Sequence, residues 1–153
     1  MRFWFIVIAV LTLVLLTSAA GCGIGQDSIS MPIEVTNADR VGAIAFNLVY
    51  DSSVLEAQAV EVKELATGAN ASYSTSTPGK LLVLVQNAPN INGSGTLVVA
   101  KFKVLNTAGA TTLEIEVVEA LNLDTGEPVG TSVSDGSYSG TTDSVEPPII
   151  IFG

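Results

Sequence analysis

The sequence has no histidine and one cysteine, Cys22, in 153 residues. Those two absences remove the usual zinc sites, the Ser/His and Cys/His nucleophile pairs, and any disulfide within the chain. The one tryptophan, Trp4, lies in the first four residues, so no tryptophan is left for the rest of the chain. Basic residues are scarce, six against 15 acidic ones. A chain this acidic is repelled by phosphate backbones, which argues against a nucleic-acid partner. No Gly-rich phosphate loop is present, and no stretch of a dozen residues carries a helical spacing of apolar positions.

What the chain does contain is short β-branched and aliphatic runs, punctuated by Gly, Asn, Asp, Ser and Thr. The pattern predicts strands over 29–36, 43–50, 55–63, 80–86, 96–105, 112–118 and 132–138, with a weaker one over 71–74. Alternation is clear in "AFNLVY", where Ile44, Phe46, Leu48 and Tyr50 share one face and Ala43, Ala45, Asn47 and Val49 the other. "AKFKV" and "LEIEV" alternate likewise, with Lys101, Lys103, Glu114 and Glu116 facing water. "SSVLEAQAVEVKELA" is read as one helical turn running into a strand. The expected fold class is all-β, a jelly-roll β-sandwich of about eight to nine strands.

The first 21 residues read as an export signal. Arg2 precedes an apolar run from Phe3 to Leu16, and small residues follow at Ser18-Ala19-Ala20-Gly21. The run is short for a membrane span, which needs about 20 residues. Ser18-Ala19-Ala20 fits an ordinary signal-peptidase site, which would leave Cys22 as a stray thiol. Ala19-Ala20-Gly21-Cys22 resembles the bacterial lipobox, with alanine where leucine is commonest. That resemblance implies that Cys22 is acylated and becomes the first residue of an exported lipoprotein. It gives the cysteine a purpose and is the favoured reading. Two or three acyl chains hold a protein stably on a bilayer, where one holds it marginally. The organisation expected is a lipoprotein signal over 1–21, a lipidated cysteine and spacer over 22–27, a sandwich over 28–140 and a tail over 141–153. The location expected is the bacterial cell surface or periplasm.

Three segments, in order, carry a family resemblance. "VGAIAFNLVYDSSVLEAQAVEV" resembles the cohesin stretch in which a strand ends in Tyr-Asp, turns, and resumes at Leu-Glu. "GSGTLVVAKFKVLNTAGATTLEI" is similar to the cohesin block with a Gly-Ser-Gly entry and a Phe-Lys-Val strand, and "NLDTGEPVGTSVSDGSYSG" to the closing hairpin and final strand. The residues make sense alone. Asp51 can fold its carboxylate onto the following amides as an Asx-turn. Tyr50 can bury its ring and send its hydroxyl to the rim. Asp135-Gly136 suits a tight turn needing positive φ.

Cohesins are nine-stranded jelly rolls that bind dockerins, small calcium-loaded modules of secreted, often polysaccharide-degrading, enzymes. The resemblance implies a dockerin-like partner, with calcium on that partner and no cofactor or metal on this chain. It places the partner on a flat outer face, here Ala43, Ala45, Asn47 and Val49 with Leu82, Leu84, Gln86 and Asn87. Because "LLVLVQN" is apolar on both parities, the register of the second set is open to a one-residue slip. Cellulosomal cohesins carry polar anchors near Ala43 and Ala45, so alanines there imply a different specificity. The first strand of the family has no counterpart before "DSISMPIEV", which leaves an edge needing cover. Ile149–Phe152, after Pro147-Pro148, is expected either to add a strand to that edge or to engage a partner.

Other functions fit less well. Glu114 and Glu116 read as a solvated surface, since an acid/base pair needs a cleft to split its pKa values. Asp124 and Glu127 flank a turn with too few ligands for calcium. Carbohydrate binding is the stronger alternative, but only Tyr73 and Tyr138 are left as a stacking platform, so affinity for polysaccharide should be weak. A structural envelope lipoprotein that acts by strand addition is a third reading.

Overall fold

The computed structural model describes residues 27–153. The signal segment and Cys22 therefore lie outside the described residues. Ten strands follow in order: β1 Ser28–Val49, β2 Leu55–Val62, β3 Asn70–Thr77, β4 Lys80–Gln86, β5 Ile91–Val104, β6 Ala110–Asn122, β7 Thr131–Ser134, β8 Gly136–Ser139, β9 Ser144–Glu146 and β10 Ile149–Phe152. A short 3-10 helix, Glu64–Ala66, sits between β2 and β3. The all-β sandwich expected from the alternation is what the chain forms.

Strand β1 organises the molecule, because it belongs to both layers. Its first half, Ser28–Val35, pairs antiparallel with β5, and β5 pairs with β2. Its second half, Ile44–Val49, lies between β4 and β6, with β3 beyond β4 and β8 then β9 beyond β6. Two strands were expected over 29–36 and 43–50. They are one strand, bent between the layers at three register shifts. Asn37 (φ 58°) and Arg40 (φ 51°) take left-handed conformations inside the bend, where the extra residues re-aim the chain. Arg40 is tied down by an ion pair with Asp124, and its carbonyl accepts from the Leu123 amide.

Between the layers lies a continuous apolar core. Met31, Ile33, Ile44, Phe46, Leu48, Leu81, Val83, Val85, Phe102 and Leu113 are all fully excluded from water. Tyr50 closes one end, its ring edge-on to Phe102 at 5.0 Å. Its hydroxyl accepts from the Ala57 amide at 3.3 Å, and burial raises its pKa above the ordinary tyrosine value. The Asx-turn at Asp51 forms: its carboxylate accepts from the Ser53 amide at 2.8 Å and the Ser53 hydroxyl at 2.6 Å. Those two bonds hold the Asp51 carboxyl below its usual pKa.

Two expectations for the later part of the chain need correction. Residues 141–153, set apart as a tail, are built into the sandwich. Strand β9 pairs with β8, and β10 runs parallel to β1 at Glu34–Thr36 while pairing antiparallel with β7. Ile150 and Phe152 are buried in the core. Of the two roles expected for Ile149–Phe152, the added strand is the one that forms, covering an edge of β1 over Glu34–Thr36. The second correction concerns the strand expected over 132–138, which is two strands. The chain passes from one layer to the other at Asp135, whose carboxylate accepts from the Ile115 amide at 3.2 Å. Gly136 is not among the residues with positive φ, so it is needed for close packing and not for a turn. A Cβ there would strike the Glu146 carbonyl and come within 2.6 Å of Pro148.

Candidate docking face

The outer faces of the two layers differ. On the β5 layer, charged groups pair: Glu61 on β2 holds Lys101 on β5 at 2.7 Å and Lys63, two residues further along its own chain, at 3.5 Å. Those lysines keep the Glu61 carboxyl below its usual pKa. On the layer containing β3, β4, the second half of β1, and β6, the outward rows are mostly uncharged.

Side-chain parity decides which residues form that second face. Ile44, Phe46 and Leu48 point into the core, so Ala43, Ala45, Asn47 and Val49 point out, each half-buried by its neighbours. The register of β4 is settled the same way. Leu81, Val83 and Val85 are fully buried, so Leu82, Leu84 and Gln86 face outward. All eight residues expected on the face lie on this side or, for Asn87, just beyond it. Asn87 (φ 56°) turns the chain away at the end of β4, and the Ala88 amide then bonds the Gly42 carbonyl.

The pairings set these side chains in rungs. Ser72, Leu84, Ala45 and Glu119 lie on one rung; Ser74, Leu82, Asn47 and Glu116 on the next; Thr77, Lys80, Val49 and Glu114 on a third. Ala43 lies opposite Leu121 at the near end. The centre is therefore small and apolar. A row of serines flanks it on β3 and a row of glutamates on β6. Lys80 spans the last rung and reaches Glu116 at 4.0 Å. A shallow depression of about 270 Å³ is lined by Asn47, Ser74, Ser76, Thr77, Lys80 and Leu82. Leu82, at 44% exposure, is among the most exposed large apolar side chains.

Sequence reasoning found the apolar centre and missed both flanks. Glu114 and Glu116 were placed in water correctly, but their position beside Asn47 and Val49 depends on the pairing of β1 with β6. No local pattern carries that pairing. Asp124 is held by Arg40 and sits in a turn capped by the Asn122 side chain, which accepts from the Asp124 and Thr125 amides. No group of three or more metal-ligating side chains occurs among the described residues. Tyr138, expected as part of a sugar platform, is buried, with Phe46, Tyr50, Phe102 and Phe152. Tyr73 alone among the aromatics of the described residues is exposed.

The geometry defines a class: a two-layer β-sandwich presenting a half-apolar sheet face. Comparison with known proteins then gives the family. The profile of the cohesin domain matches residues 17–139, and the chain belongs to the cohesin-domain family. No curated protein sequence matches it. Among solved structures, it is similar to a non-cellulosomal cohesin from the hyperthermophilic archaeon Archaeoglobus fulgidus, at 24% identity and a TM-score of 0.64, covering 84% of this chain and 83% of that one. It is similar to the cohesin of a cohesin–dockerin complex from Clostridium thermocellum, at 15% identity and a TM-score of 0.61, covering 84% and 85%. A complex containing a cohesin of Clostridium acetobutylicum matches at 21% identity and a TM-score of 0.60, covering 85% and 92%. At these identities the likeness is one of fold. Cohesin domains as a family are non-catalytic binding modules.

Proposed function

We propose that this chain is a non-catalytic, membrane-anchored receptor that docks a dockerin-type module on the face formed by β3, β4, β1 and β6. One observation carries the reading. Leu82, Leu84, Ala43 and Ala45 form an apolar strip on the outer side of the sheet, with Leu82 exposed and the other three half-buried. Large apolar surface left open on a soluble domain marks a place of association. Two of the solved relatives were determined with dockerins, and the family membership of this chain supports the same class of partner. Small side chains at Ala43 and Ala45 let a partner's backbone approach closely, so recognition rests on shape and apolar contact.

Attachment to a membrane would come from acylation of Cys22, which places the domain on an exported surface with residues 23–27 as a short spacer. Carbohydrate binding receives no support from the face, because a row of exposed aromatics is what sugar stacking requires and Tyr73 stands alone.

The test is direct binding. The chain is immobilised and titrated with calcium-loaded dockerin modules, then with the same modules after chelation. Saturable binding lost on chelation supports the reading; no binding to any module across a broad panel defeats it. Metabolic labelling with a fatty acid, compared with Cys22→Ser, tests the anchor separately.

A further inference from the structure

Charge is unevenly distributed along this acidic chain. All 15 carboxylate side chains lie at or before Glu64 or at and after Glu114. The tract between them supplies β3, β4 and β5. In it, Leu65–Gly79 carries no charge of either sign, and this stretch contains the whole of β3, "NASYSTST".

Strand β3 is also an edge. It pairs with β4 on one side, and no described strand pairs with it on the other. Soluble proteins protect such edges with charge, proline, a bulge or shortness, because the open row of amides and carbonyls recruits another strand. The other edges of this sandwich are protected in those ways. Strand β2 carries Glu56 and Glu61 and a register shift between Ala57 and Ala59. Strand β7 has four residues, and β9 has three, ending in Glu146. Strand β3 has eight residues with no charge and no proline; its register shift falls late, between Ser74 and Thr77, leaving Asn70–Ser74 regular.

We propose that a second copy of this chain adds to the β3 edge, antiparallel and related by a two-fold axis through Ser72. That centre is the one that uses all of the regular segment: Asn70 faces Ser74 of the second copy and Ala71 faces Tyr73. A two-fold contact is self-complementary, so each Tyr73 ring, 45% exposed in the single chain, covers the Ala71 opposite. Net charge selects the same place. Two copies of a chain with formal charge −9 repel each other over most of their surface. On β3 the backbones can meet with no carboxylate on either pairing strand, the nearest being Glu56 of β2, which lines a hollow with Thr75. Five strand pairs bury little area, so association is weak, in the micromolar-to-millimolar range typical of small interfaces. The paired sheets would continue across the two-fold and set two docking faces side by side.

The test is sedimentation equilibrium of the full chain in density-matched detergent, over low micromolar to about millimolar concentration. The wild type is expected to move from monomer to dimer mass, and added salt to strengthen the dimer by screening like charge. Ser72→Lys, which puts two ammonium groups on the axis, should raise the dissociation constant at least tenfold. Tyr73→Thr keeps an uncharged edge and should weaken the dimer less. Ser132→Lys adds the same charge to β7 and should leave it unchanged. A chain that stays monomeric throughout overturns the proposal. So does a dimer that Ser72→Lys leaves intact, as one formed through residues 1–26 would be. Thermal unfolding of each variant confirms that the sandwich persists.

Discussion

Gly136 and Pro148 touch so closely that the glycine cannot be anything else. A Cβ on Gly136 would stand 2.6 Å from both the ring nitrogen and Cδ of Pro148 and would collide with the Glu146 carbonyl. This contact fixes the crossing by which the chain leaves β9 for β10. Gly136→Ala is expected to destabilise the domain by about 1–3 kcal/mol or more, as overpacking does. Urea unfolding followed by tyrosine fluorescence would read the loss as a lower midpoint.

Strand β10 supplies core as well as pairing. Ile150 is fully buried and Phe152 nearly so. Ile150→Ala should cost about 2–5 kcal/mol, the range for deleting a large aliphatic side chain from a packed core. If the loss is within 0.5 kcal/mol, β10 is not a structural strand.

The Tyr50 hydroxyl satisfies the Ala57 amide beside the register shift of β2. Tyr50→Phe keeps the edge-on contact with Phe102 and removes the acceptor. A loss of about 1 kcal/mol is expected, the net worth of one such hydrogen bond, with hydrogen exchange at Ala57 accelerated.

Acid should weaken the fold through its paired carboxylates. Asp51, Glu61 and Asp124 are all held below their ordinary pKa, by Ser53, by Lys101 and by Arg40 respectively. The folded state binds these protons less readily than the unfolded one. Their contribution is therefore complete above the ordinary carboxylate value of about 4 and fades as pH falls through the depressed values. Denaturant midpoints measured from pH 7 down to about 2 should decline over the acid limb, and Asp51→Asn should flatten part of it. Burial raises Tyr50 and Tyr138, so stability should also fall as pH rises above about 10.

Leu82 separates docking from folding. At 44% exposure on the outer face, Leu82→Glu should change stability by no more than about 0.5 kcal/mol. It should also weaken a docked partner by about tenfold or more, as loss of a central contact does. Lys101→Glu, on the opposite face, is the control and should leave partner affinity unchanged. Equal affinities for the two variants would move the docking site elsewhere.

What the sequence disclosed and what it hid follow from the range of the interactions. Period-two alternation placed Phe46, Tyr50 and Phe102 in the core and Ala43–Val49 outside, because one strand carries that signal by itself. It could not show that 29–36 and 43–50 are one bent strand, since Asn37 and Arg40 adopt positive φ without a glycine to announce it. Nor could it show that Ser132–Tyr138 breaks at Asp135, where the partners change from β10 for β7 to β6 for β8. The flanks of the docking face were hidden for the same reason. Glu116 becomes a neighbour of Asn47 only through a pairing across some 70 residues.

That strand β10 inserts beside the first half of β1 has a temporal consequence. The earliest strand of the sandwich waits for the latest one: while residues 149–152 are unmade, β7 has no strand to pair with and the gap beside Glu34–Thr36 stands open. Contacts so distant in sequence form slowly. A growing chain therefore stays incompletely folded until β10 is delivered, and a chain interrupted before Ile149 would leave that gap in its sandwich unfilled.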